Sequence, residues 1–115
     1  GDRYVGEEIL THEFSHAIHE LGLRFVNPSF DTDLQVAYDH AVSTGLWTNT
    51  YAISDVREYW AEGVQDWYNC NLEAIPANGV HNQINTRSEL QSYDPMLYNL
   101  IDTYFNEPTK KHGCY

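Results

Sequence analysis

Basic residues are scarce in this chain: six Lys and Arg stand against 17 Asp and Glu, for a formal net charge of −11. A phosphate backbone is held by a basic footprint, so the balance argues against nucleic acid as a partner and leaves basic or neutral peptides electrostatically acceptable. Long apolar runs are also missing. None approaches the ~20 residues of a bilayer span, and no basic stretch followed by a hydrophobic one opens the chain, so no membrane span is expected. Cysteine is limited to Cys70 and Cys114. An even pair fits one disulfide stapling the tail back to the third helix in an oxidising compartment, with two buried free thiols as the other reading. That pair is the sole ground for expecting a secreted, extracellular protein. The one N-x-S/T triplet, Asn27-Pro28-Ser29, has the proline that blocks glycosylation.

What is present is a folding composition. With 42% hydrophobic and 14% aromatic residues in 115 positions, the chain is expected to form a single domain with an acidic surface, not a solvating tail. Helical spacing dominates. Tyr4, Val5, Glu8, Ile9, Phe14 and Ala17 share one face, and Leu21-Gly22 is read as the stop. Ser29 or Asp31 is expected to cap a second helix whose buried positions are Leu34, Ala37, Tyr38, Ala41 and Val42, ending at Gly45. Residues 46–54 have no sustained period and read as a loop. Ser54 or Asp55 then caps a helix with an aromatic face made by Tyr59, Trp60, Val64, Trp67 and Tyr68. Residues 70–115 read as a loop-rich, disulfide-stapled extension. Its helical parts are a short helix from Ser88 to Tyr93 and a last one for which Asp94-Pro95 supplies the cap and first position. No internal repeat is visible. The fold class expected is mainly α.

The chemistry lies in the first helix. His12-Glu13-Phe14-Ser15-His16 carries the H-E-x-x-H pattern: residues four apart on a helix point the same way, so two imidazoles can hold one zinc ion while Glu13 stands beside it as general base. A third protein ligand is needed, because a catalytic zinc keeps its fourth position for water. His19 shares the face, but seven residues on it lies ~10 Å along the axis, whereas ligands must approach one ion to ~2 Å. It is read as a residue outside the ligand shell that supports a ligand or lines the cleft, or simply as a satisfied histidine at the helix end. Glu58 is the other candidate; three residues after Asp55, it is also placed to serve as an ordinary capping-box carboxylate.

These segments carry a resemblance. His12-Glu13-Phe14-Ser15-His16-Ala17, followed by Tyr51 and by Glu58-Tyr59-Trp60-Ala61-Glu62, resembles the gluzincin zinc peptidases of the anthrax lethal factor and Pro-Pro endopeptidase group over about residues 5–68. The resemblance implies His12, His16 and Glu58 as ligands of Zn2+, Glu13 as general base, and Tyr51 as the hydroxyl that stabilises the oxyanion. Glu62, one turn past Glu58, can fix the tautomer of His12 from outside the ligand shell. Tyr51 as a packing residue and Glu62 as a solvated carboxylate remain the alternatives. The family's sheet-bearing lobe precedes its active-site helix, yet only eleven residues precede His12 here. The chain is therefore read as the C-terminal helical part of a zincin-like fold, continuous or associated with a missing N-terminal segment. The expected function is endopeptidase hydrolysis of a peptide or protein substrate. The alternative is a non-catalytic zinc-binding or interaction module on the same scaffold.

Overall fold

A computed structural model of the chain describes residues 9–105, and among these residues it is helical with no strand. In chain order the helices are α1 (Ile9–Ile18), α2 (Arg24–Val26), α3 (Phe30–Thr44), α4 (Val56–Trp67), α5 (Arg87–Tyr93) and α6 (Pro95–Phe105). No helix among them is long and apolar enough to cross a membrane.

α4 is the axis of the fold. It packs against α1, α3, α5 and α6, and every residue from Glu58 to Trp67 is buried. The Asp55 side chain caps it, accepting from the Glu58 amide at 2.9 Å. α3 covers one flank with Phe30, Leu34, Ala37 and Ala41, a face one residue narrower than the spacing suggests: Val42 is exposed. Gly45 ends α3 in the left-handed conformation, φ +78°, where a β-carbon would be strained. α6 approaches at Gly63. A β-carbon there would stand 2.6 Å from Leu97 Cδ2 and 3.1 Å from Ile101 Cδ1, so the absence of a side chain sets the depth of this crossing.

One departure from the expected outline bears on the site. Leu21-Gly22 does not end the first helix. The backbone widens into a π turn over His19–Leu23 and runs on to Val26. The cause lies in tertiary contacts: Asp31 of α3 accepts from His19 Nε2 at 2.6 Å and from Arg24 Nε at 2.8 Å, which draws the wide turn toward α3. The short helix expected from Ser88 to Tyr93 is present as α5, which starts at Arg87 after a cap by Thr86, accepting from the Glu89 amide at 3.3 Å.

The long connection before α5 folds back on the loop between α3 and α4. The Gly79 amide donates to the Asn49 carbonyl at 2.9 Å, the Tyr51 amide to the Val80 carbonyl at 3.0 Å, and Asn49 Nδ2 to the Ala77 carbonyl at 2.9 Å. Trp47 and Asn49 adopt φ of 61° and 60°, a region disfavoured for residues with side chains. Trp47 is held there at both ends, its amide on Tyr93 Oη at 2.7 Å and its indole on Asp94 Oδ2 at 2.9 Å. This loop sets where Tyr51 stands.

Candidate metal centre

α1 meets α4 through polar groups. The buried residues of α1 are His12, Ser15 and His16. Ser15 returns its hydroxyl to the Thr11 carbonyl at 2.6 Å, and its own carbonyl accepts from Trp60 Nε1 at 3.0 Å. With the small Ser15 between them, the two histidines reach into the seam where α4 presents Glu58 and Glu62.

There the donors converge. His12 Nε2 and His16 Nε2 are 3.2 Å apart. Glu58 Oε2 lies 3.0 Å from the first and Glu58 Oε1 2.8 Å from the second. The Glu58 side chain has turned away from the capping position and onto the histidines. On the other edge of His12, Nδ1 faces Glu62 Oε2 at 2.9 Å and Gln65 Oε1 at 2.8 Å. His12, Glu13 and His16 also offer donor atoms within 4.8 Å of one another, a group able to hold a metal ion. Glu58 comes closer to both imidazoles than that limit, from a buried position, whereas Glu13 is exposed.

The electrostatics of this seam favour a cation. Burial alone would lower the pKa of His12; hydrogen bonds to Glu62 and Gln65 and the charges of Glu62 and Glu58 outweigh it and raise the group to about 9. Tyr51 is raised to about 12, first by its hydrogen bond to Glu58 and then by burial, so its phenol keeps its proton at neutral pH. Its ring lies 6.1 Å from that of His12, centroid to centroid. An open cleft of about 370 Å³ lies in front, lined by Ile9, His12, Glu13, Tyr51, Glu62 and Val80.

Six of the residues singled out in the sequence therefore meet at one place: His12, Glu13, His16, Tyr51, Glu58 and Glu62. His19 does not join them. The π turn carries it into the core, 1% exposed, with its ring edge-on to Phe30 at 5.1 Å and Nε2 on Asp31. Cys70 is buried, and Cys114, its expected partner, lies outside the described residues. Two neighbours were not assigned to the site from the sequence. Gln65 continues the Glu58–Glu62 face of α4 by three residues, a signal that following the helical step would have found. His81 places Nδ1 3.9 Å from Glu62 Oε1, and no local pattern announces it. His16 Nδ1 is buried without a hydrogen-bond partner among the described residues. Compared with known proteins, the chain matches no family model, no curated protein and no solved structure.

Proposed function

We propose that the chain is the metal-bearing part of a zinc-dependent peptidase of gluzincin type, with His12, His16 and Glu58 as ligands and a peptide or protein as substrate. One observation carries the reading: two imidazole nitrogens one turn apart, and a carboxylate 46 positions from the first, come within 3.2 Å of each other in a buried seam. Tetrahedral zinc with ligands at ~2.0–2.1 Å separates them by about 3.3 Å. Nitrogen, nitrogen and oxygen donors of this kind suit zinc, which would displace the proton that the neighbouring carboxylates hold on His12.

When bound there, zinc supplies a Lewis acid and a water of lowered pKa. The chain's own residues provide the rest. Glu13, exposed on the cleft side of α1, is placed to take a proton from water. Tyr51 holds its proton and stands at the same cleft, so its hydroxyl can donate to an oxygen on which negative charge develops. Glu62 accepts from His12 Nδ1, which orients the ring with Nε2 toward the site.

Metal content and turnover test this reading. After dialysis against metal-buffered solution the protein is expected to hold one zinc, Glu58→Ala to lose it and His19→Ala to keep it. Glu13→Gln is expected to retain zinc and lose about 100-fold or more in peptide cleavage. Absence of zinc overturns the ligand assignment. Zinc without cleavage, identical in Glu13→Gln and parent, favours the non-catalytic zinc-binding module.

A further inference from the structure

One turn beyond Glu62, Gln65 reaches the same ring nitrogen. Its Oε1 is 2.8 Å from His12 Nδ1, beside Glu62 Oε2 at 2.9 Å. The side chain is fully buried, and its Nε2 donates to the Cys70 carbonyl at 3.3 Å. A carbonyl only accepts, so the amide must turn its NH2 to Cys70 and its oxygen to His12. A flipped amide would set two carbonyl oxygens against each other. Two acceptors thus converge on Nδ1, which must carry a hydrogen, so a metal on the side facing His16 and Glu58 would bind Nε2 in place of the proton that Glu58 accepts there in the metal-free chain.

We propose that Gln65 is a positioning residue that locks the tautomer and ring orientation of His12 for metal binding and ties the metal centre to the segment beginning at Cys70. The proposal rests on the reading of His12 as a ligand. Gln65 adds something that Glu62 lacks. A carboxylate has two equivalent oxygens and becomes a donor if protonated, whereas an amide keeps one polarity at any pH. Here the far end of that amide is anchored to backbone. The segment it grips returns to the site, with Val80 lining the cleft and His81 beside Glu62. Loss of the amide would free the His12 ring without removing any ligand.

Zinc affinity by competition with a chromophoric chelator, and the visible spectrum of the Co2+-loaded protein, decide the matter. Gln65→Met keeps the length and removes the acceptor. It is expected to fold with parental helicity, bind Zn2+ about 10–100-fold more weakly and shift the Co2+ bands. Gln65→Glu, which keeps an oxygen toward Nδ1, is expected to recover most of that affinity. Should Gln65→Met not fold, Gln65→Asn, whose amide is one methylene too short, takes its place with the same expected loss. Parental affinity and an unchanged Co2+ spectrum in Gln65→Met would overturn the proposal and leave the metal centre standing. Equal losses in the Met and Glu variants, in step with melting temperature, would also overturn it, as a packing effect. A parent whose Zn2+ binding is absent, or indifferent to His12→Ala and Glu58→Ala, removes the metal reading and this proposal together.

Discussion

On one side of α4, Glu58, Glu62 and Gln65 meet the histidines of α1; on the other, Trp60 packs edge-on to Phe30 at 4.9 Å and Gly63 admits Leu97 and Ile101 of α6. Both sides are buried, yet they contribute oppositely. Fully burying a large apolar side chain contributes about 1.5–3 kcal/mol. Burying carboxylates opposes folding unless they are paired, and buried ion pairs commonly do no better than apolar residues of the same shape. Stability alone would have made both sides apolar. That the α1 side instead gathers two acids, an amide and two histidines is what the proposed metal centre requires, while the α3 and α6 side holds the helix in place.

Truncation on the apolar side should show the largest effect. Trp60 is fully buried, and Trp60→Ala leaves a cavity as well as orphaning the Ser15 carbonyl. A loss of about 3–5 kcal/mol is expected in urea unfolding; less than about 1 kcal/mol would mean that the aromatic side does not carry the fold. The polar side should answer in another measurement. Glu62→Gln is expected to weaken zinc about 10–100-fold, about 1.4–2.7 kcal/mol, while the metal-free protein loses less stability than Trp60→Ala does, because the amide oxygen can still accept from His12 Nδ1 and only the charge of the pair is gone. If Glu62→Gln instead melts like Trp60→Ala, the two sides are not functionally distinct.

Much of this division could be read from the chain, for reasons that separate local from tertiary physics. The helical class, the course of α3, α4 and α6, and the caps at Gly45, Asp55 and Asp94 follow from spacing and from residues whose backbone preferences act within one turn. His12 and His16, and Glu58 and Glu62, are pairs at helical steps, visible for the same reason. The π turn was hidden because its width answers to Asp31, eight residues beyond its end and on another helix. His19, which shares a helical face with His12 and His16 on an unbroken helix, is carried into the core by that turn. Gln65 and His81 acquire meaning only once α1 lies on α4 and the segment after Cys70 folds back past Asn49 and Tyr51. Val42 was counted among the buried positions because spacing reports which residues share a face, not how wide a strip the neighbour covers.

Asp66 offers the finest test of the two-sided helix, because it is a buried acid of α4 that touches no histidine of the site. It is 0% exposed; Oδ1 accepts from Asn71 Nδ2 at 2.9 Å, and Oδ2 has no partner among the described residues. Burial, opposed by the Asn71 hydrogen bond and reinforced by the charges of Glu62 and Glu89, lifts its pKa well above the ordinary carboxylate range. The folded chain therefore keeps a proton that the unfolded chain releases above pH ~4. The stabilisation is fully present below that pH and falls as pH rises toward the folded value, with a slope of up to about 1.4 kcal/mol per pH unit. Asp66→Asn keeps the acceptor for Asn71 and cannot ionise. Parent and variant should be close near pH 4, and the variant should lead by about 1 kcal/mol or more at pH 7 in urea unfolding. A gap that fails to widen with pH would mean that Asp66 is ionised in the folded protein. A second buried negative charge would then lie one turn from Glu62, and the cation-seeking field of the seam would extend along α4 beyond the histidines.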